Sequence, residues 1–409
     1  MGLSRQTTEG LVNLADQAER MLRDRILPFW LSLEDPSGGF RIAVDARGGV
    51  DERAPKTLVF AARLAWTFAT AARLYGVAAY TRAAQHAFEH LECFFDKSHG
   101  GLWFALDRQN HPVDRSKHVY GQAFALFAFS AAAQLGDERR ERMAAALFEL
   151  LEARAKHGAR GLYVESFNEA WSETPNTDRA LGEMVARHTA DTHLHLIEAY
   201  CELQRATNRP HVADALAALT ETFVTSFLAP DGLFTHQKLD DQGDPVGATI
   251  WPGHDIEASW LLDDVACLTS DDRLRARLRE KARGLTNGAV HYGMQESGAW
   301  LERVTDAGVY TDARILWWVQ AEAVLGLVVG GLRWEDENLV ERALKTWKFI
   351  NEFMIDPNTG DWRLRVVNAS GLPDPVAPRV VFWKDPYHQA RACMQISKRV
   401  RTFLETREL

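Results

Sequence analysis

A short pattern recurs six times along the chain: a glycine, an aromatic residue or leucine within two positions, then a short run with apolar positions. Its copies are Gly38-Gly-Phe-Arg-Ile-Ala-Val-Asp45, Gly100-Gly-Leu-Trp-Phe-Ala-Leu-Asp107, Gly161-Leu-Tyr-Val-Glu165, Asp231-Gly-Leu-Phe-Thr-His236, Gly298-Ala-Trp-Leu-Glu302 and Gly360-Asp-Trp-Arg-Leu-Arg365. Each reads as a short strand and turn, a small hairpin. The copies begin near 38, 100, 161, 232, 298 and 360, at intervals of 62, 61, 71, 66 and 62. Between them helical periodicity dominates, over roughly 8–31, 54–75, 78–96, 117–136, 138–157, 188–207, 210–228, 254–269, 272–286, 309–331, 335–354 and 384–406. A period of 60 to 70 residues holds two helices and one hairpin. Six such units closing on themselves make an (α/α)6 barrel. The expected fold is therefore all-α, a single (α/α)6-barrel catalytic domain over 1–409 with short β-hairpins in the connections.

Alternate helices of such a barrel form its inner ring. Here these are the helices carrying Arg63, Tyr120, His195, His254, the Trp317-Trp318 pair and His388. Within His188–Tyr200, Asp191, His195 and Glu198 are spaced by four and three, so they project from one helix face. Leu194, Leu196 and Ile197 leave that helix little solvated surface, so the polar row points inward. Trp251-Pro-Gly-His254-Asp-Ile-Glu257-Ala-Ser-Trp260 and Trp383-Lys-Asp-Pro-Tyr387-His388-Gln-Ala-Arg391 repeat the device. Arg63, Trp66 and Thr70 share a face, as do Tyr120, Phe124 and Phe127, and Gly76 reads as a helix C-terminal cap. Repeat phase and polar residues point to one cavity. His188 and His193 read as structural or lid residues, and the polar segment 166–187, which lengthens the third interval, as a lid.

Composition removes several classes. A net charge of −9 without a basic run excludes nucleic acid and anionic membrane surfaces as partners. The longest apolar run, Ala323 to Leu332, is about half of what a bilayer requires. Cys93, Cys201, Cys267 and Cys393 lie far apart with no CxxC pair, which reads as buried free thiols in a reducing compartment. With no signal-peptide core at the N-terminus, a cytoplasmic enzyme is expected, with a homodimer as the assembly kept open. Asp191–His195 and His254–Glu257 could chelate, but no HExxH or comparable zinc set exists. Glycine-rich phosphate cradles are also lacking. No metal and no cofactor are expected.

Glycoside hydrolysis needs two carboxyl groups flanking the scissile bond, and Glu198, Glu257 and Glu322 are available. Each, however, lies within about a turn of a histidine or tryptophan, in the position of an orienting partner. Proton transfer at carbon fits better. An imidazole of ordinary pKa near 6.5 can take and return a proton near neutral pH, and two on different helices could address opposite faces of a substrate. Glu257, three residues after His254, can fix its tautomer; Arg63 can stabilise an enolate oxygen. Tyr120, Trp317, Trp318 and Trp383 offer stacking surfaces for a small-molecule sugar.

Asp191-Thr-His-Leu-His195-Leu-Ile-Glu-Ala-Tyr, Gly253-His254-Asp-Ile-Glu257-Ala-Ser-Trp-Leu-Leu, Trp317-Trp-Val-Gln-Ala-Glu322-Ala and Trp383-Lys-Asp-Pro-Tyr-His388-Gln-Ala-Arg resemble the N-acylglucosamine 2-epimerase superfamily. Within it they look like the cellobiose 2-epimerases, mannose isomerases and mannose 2-epimerases. The resemblance runs from about Arg63 to the C-terminal helix and implies an (α/α)6 barrel. It implies His254 and His388 as paired general acid/base histidines, His195 as a third assisting one, and Arg63 facing the reacting oxygens. Glu257 matches the partner of the first histidine; Tyr120, Trp383, Trp317 and Trp318 match sugar-contacting aromatics. Asp191 departs from the asparagine of the cellobiose enzymes, and Lys384-Asp-Pro-Tyr departs slightly from the usual cysteine-containing form. The departure at Asp191 favours conversion of D-mannose to D-fructose through a cis-enediolate. The alternatives are 2-epimerisation of mannose/glucose, cellobiose or N-acylglucosamine, a non-catalytic carbohydrate- or protein-binding member, and an (α/α)6 glycoside hydrolase.

Overall fold

A computed structural model describes residues 2–157, 160–175, 186–305, 310–312 and 314–406. The first outer helix is α1 (Arg5–Met21), continued through a π-helical turn, Leu22–Ile26, into α2 (Leu27–Leu31). Five inner–outer pairs follow. They are α3 (Leu58–Tyr75) with α4 (Ala78–Leu91), α5 (Val119–Ala133) with α6 (Glu138–Arg154), and α7 (Ala190–Thr207) with α8 (Pro210–Ser226). Next come α9 (Pro252–Leu268) with α10 (Asp272–Gly293) and α11 (Trp317–Arg333) with α12 (Glu337–Phe349). The last inner helix, α13 (Tyr387–Thr406), packs on α1, so the two ends of the chain complete the sixth pair.

The inner helices close a ring. Helix α3 touches α5, α5 touches α7, and the contacts run on through α9, α11 and α13 back to α3. Sequence explains which helix lies where. Every residue of α5 from Val119 to Ala132 is buried, matching its apolar composition on all sides. Its outer neighbour α6, rich in Glu and Arg, buries only Arg140, Ala144, Leu147, Phe148 and Leu151, a single stripe. Among the described residues no helix is long and apolar enough to cross a membrane.

The six glycine patterns are six equivalent hairpins. Isolated antiparallel bridges join Glu34 to Phe40, Phe95 to Leu102, Lys156 to Tyr163, Leu228 to Thr235, Met294 to Trp300 and Ile355 to Trp362. The turn glycine of each (Gly38, Gly100, Gly161, Gly232, Gly298, Gly360) has positive φ, a region costly for any residue with a Cβ. Two-residue strands then tie each repeat to the next. Lys56–Thr57 pairs with Ala105–Leu106, Lys117–His118 with Ser166–Phe167, His188–Thr189 with Lys238–Leu239, and Ile315–Leu316 with Arg365–Val366. Thr249–Ile250 pairs with Arg303–Thr305 in the same way, and a bridge from Val44 to Val380 closes the circle. This crown lies immediately before the N-termini of the inner helices.

The crown also accounts for where the helix boundaries differ from expectation. Helices expected from 54, 117 and 188 begin at Leu58, Val119 and Ala190 because the preceding residues pair as strands. The helix expected over 309–331 begins at Trp317 for the same reason; residues 306–309 and 313 lie outside the described residues. Helix α10 runs past the expected 286 to Gly293, its Gly288 fitting where a Cβ would strike the Leu233 carbonyl. Gly76 caps α3 in the left-handed region, φ 62°, as read from the sequence. Of the expected lid, 166–175 is a short strand with a Phe167–Glu173 bridge, and 176–185 lie outside the described residues. None of the four cysteines is in a disulfide, but only Cys201 and Cys393 are buried; Cys93 and Cys267 are exposed.

Candidate active site

Inner helices that start at one crown deliver their first turns to one mouth. There a cavity of about 340 Å³ is lined by Arg63, Tyr120, Asp191, His195, His254, Glu257, Trp317, Trp318, Trp383 and His388, together with Trp251 and other residues of the crown. Every candidate residue from the sequence thus meets in one place. The helix N-termini around it supply the positive ends of their dipoles, which favour a developing negative charge.

On α7, His195 lies between two carboxylates. Its Nε2 faces Asp191 Oδ1 at 3.3 Å and its Nδ1 faces Glu198 Oε2 at 3.1 Å. An acceptor on each nitrogen demands two protons on the ring. Burial alone would lower the imidazole, but the hydrogen bonds to Asp191 and Glu198 outweigh it and hold it up at about 9. Burial would likewise raise both acids. Instead His254 and His195 bring Asp191 to about 2, and Arg391 with His195 brings Glu198 to about 2.

His254 and His388 are held differently. His254 Nδ1–H donates to Gln237 Oε1 at 2.6 Å. The Gln237 amide is oriented by its own Nε2, which donates to the Thr235 carbonyl at 3.1 Å and to Thr235 Oγ1 at 2.9 Å. That fixes the amide oxygen toward the imidazole and hence the proton on Nδ1. Trp251 stacks on the ring, 5.1 Å between centroids at 11°. His388 Nδ1–H donates to Glu322 Oε1 at 2.7 Å, and Trp260 Nε1–H donates to the other oxygen at 3.1 Å. In both histidines Nε2 keeps its lone pair. Burial lowers His254, with Asp191 opposing; burial, Arg63 and Arg391 together push His388 well below the ordinary range. Trp318 packs against both rings, at 4.9 Å from His254 and 5.8 Å from His388.

Beneath the cavity Arg391 binds Glu198, Glu257 and the Tyr387 hydroxyl, and reaches Glu322 Oε1 at 2.8 Å. Glu257, Glu322 and His388 bring metal-ligating atoms within 4.8 Å of one another. The guanidinium is already the cation of that group. Burial, with Glu322 beside it, pushes Glu257 up to about 7. Arg63, reaching in from α3, donates to the Tyr120 hydroxyl at 2.9 Å and to Asp385 Oδ2 at 3.2 Å, and lies 4.2 Å over Phe124. Asp385 also accepts from the Tyr387 amide at 2.8 Å, so the start of α13 and the Arg63 side chain share one anchor.

One expectation is corrected. Glu257 is not the hydrogen-bond partner of His254; it turns to Arg391, and Gln237 orients the imidazole. Gln237 follows the fourth hairpin, 17 residues from His254, and no local spacing announced it. Arg391 and Tyr387 were visible as the positions three after and one before His388, a helix-face spacing that could have flagged Arg391. His193 bonds the Tyr163 amide and the Thr189 carbonyl, and His188 the Tyr163 carbonyl, so both tie the third hairpin to α7.

The model of the family described as N-acylglucosamine 2-epimerase (GlcNAc 2-epimerase) matches residues 38–392. A cellobiose 2-epimerase of Ruminococcus albus is 30% identical over 392 residues, covering 94% of this chain and 99% of its own length. A D-mannose isomerase of Marinomonas mediterranea is 26% identical over 388 residues, with 89% and 92% covered. The solved structure of cellobiose 2-epimerase from Spirochaeta thermophila is 33% identical, with a TM-score of 0.89 over 96% of this chain and 98% of that one.

Proposed function

The chain belongs to the N-acylglucosamine 2-epimerase family, enzymes that epimerise or isomerise sugars, and from that premise we propose that it moves a proton at C2 of a reducing aldose. The observation that carries the proposal is the pair of buried imidazoles, His254 and His388, each with Nδ1 bound to a fixed acceptor and Nε2 left basic. Ring opening exposes an aldehyde, which acidifies the C2 proton. One imidazole takes it. The resulting cis-enediolate is stabilised by the Arg63 guanidinium and by the His195 imidazolium. The second imidazole, protonated from solvent, returns a proton to the opposite face of C2 and gives the epimer. Two bases suit epimerisation, because isomerisation needs only one. Trp317, Trp318, Trp383 and Tyr120 hold the sugar rings, and cellobiose and mannose are the substrates to test first. Every step is carried by side chains of this one barrel, so a chelator leaves turnover unchanged.

A second reading, D-mannose to D-fructose, rests on Asp191. Its Oδ1 lies 3.7 Å from His254 Nε2. An ionised carboxylate there keeps a captured proton on His254, which then returns it to C1 on the same face while the O2 proton passes to O1, giving the ketose. Turnover in D₂O separates the two by NMR. Deuterium at C2 of the epimeric aldose supports epimerisation, and fructose that retains the substrate proton at C1 supports isomerisation through His254. Cleavage of cellobiose to glucose, or binding with no turnover of either sugar, overturns both.

A further inference from the structure

The inner helices also end together, and at that opposite mouth lies a second cavity of about 230 Å³, formed by the later turns of α3, α5, α7, α9 and α13. Its lining carries five cationic side chains, Arg73, Arg205, Arg391, Lys398 and Arg399, against the three carboxylates of Glu198, Glu202 and Asp264. The carboxylates are engaged. Asp264 binds Arg205 at 2.7 Å and also Arg399; Glu198 binds Arg391, and Glu202 lies 3.7 Å from Arg205. Arg73 and Lys398 have no ion pair among the described residues. Arg73 and Arg205 sit in the last turns of their helices, where cations offset the helix dipole. Lys398 stands in the middle of α13 without that role, lowered by burial and by Arg205, Arg399 and Arg73 around it.

The polar atoms left over on the wall are of one kind. Among the described residues, Trp66 Nε1–H, Gln134 Nε2–H and Arg391 Nε–H are buried donors with no hydrogen-bond partner, and the Thr70 hydroxyl beside them is also unpartnered. Trp66, Thr70 and Arg391 are 3%, 6% and 1% exposed. Donors without acceptors call for a ligand rich in acceptor oxygens. Trp66, stacked on Phe127 with centroids 4.9 Å apart, adds an aromatic wall.

We propose that this second cavity binds a small phosphate ester, the phosphate seated between Arg73, Lys398 and Arg399 and its polar body against Trp66, Thr70 and Gln134. The site is separate from the sugar cavity and is linked to it through Arg391, Glu198 and Trp260, which lie in the floor between them.

Isothermal titration with inorganic phosphate and with glucose 6-phosphate tests this on the whole protein, using glucose as the neutral control. Saturable binding of both phosphates is expected, weakened at least about tenfold in the Arg73→Gln/Lys398→Gln double variant and unchanged in Arg365→Gln, a residue that lines the sugar cavity. Circular dichroism checks that the substitutions leave the fold intact. Absence of binding, binding lost only in Arg365→Gln, or binding unaffected by either change overturns the proposal. None of these outcomes depends on the sugar chemistry, so the two proposals fail separately.

Discussion

The α7 wall of the sugar cavity and the α9/α13 wall use the same residue type to opposite ends. His195 has a carboxylate on each ring nitrogen and is raised to about 9. His254 has an amide oxygen on one nitrogen, His388 a carboxylate already shared with Trp260 and Arg391, and both are lowered. All three are buried, so burial does not separate them; two carboxylates raise His195, whereas Arg63 and Arg391 add to burial at His388. The lesson is that a cluster of histidines is divided into charge-stabilising and base-capable members by what holds each ring, and pushing their proton affinities apart assigns their roles.

The division is broken most severely from below. Arg391→Ala leaves Glu198, Glu257 and Glu322 buried without their shared cation, and urea unfolding should show a loss of about 3–5 kcal/mol. On the base-capable wall, His254→Ala and His388→Ala should each lower kcat by about 10²-fold or more with the circular dichroism spectrum unchanged. Wild-type turnover in either variant ends the two-base mechanism. Gln237→Leu removes only the orienting bond of His254 and should cost about tenfold, one hydrogen bond's worth, while His388 is untouched.

The charged wall is read through pH. His195 rises from 6.5 to about 9 on folding, so its contribution to stability is complete below about 6.5 and is lost as pH rises through about 9. Urea midpoints measured across that range should therefore fall with increasing pH. In Asp191→Asn one of the two acceptor carboxylates is gone, and the fall should be smaller and end at lower pH. The same variant gives the smallest effect on chemistry, a shift of the product ratio from ketose toward epimer without loss of total turnover. An unchanged ratio removes Asp191 from the choice of product.

Most of the barrel was legible because it is repetitive. Six hairpins at near-equal spacing set the phase of the helices, and that phase placed Arg63, Tyr120, His195, His254, Trp317, Trp318 and His388 on the inner ring. The helix starts were not legible. Whether Lys56, Lys117 or His188 opens a helix or pairs as a strand depends on a hairpin in the following repeat. Of the histidine partners, Glu198 lay one turn away on the same helix and could be read, whereas Gln237 and Glu322 reach His254 and His388 from other helices and connections. Proximity along the chain suggested Glu257 for His254, but a cation arriving from α13 claimed that carboxylate first.

The central claim is that the three cavity histidines differ in protonation before any sugar binds. Histidine side-chain ¹⁵N NMR at pH 7.5, with each resonance assigned by substitution, observes this directly. The account predicts His195 with protons on both nitrogens, and His254 and His388 neutral with the proton on Nδ1. Three rings titrating together near the ordinary histidine value, or His195 neutral beside a protonated His254 and His388, would contradict it.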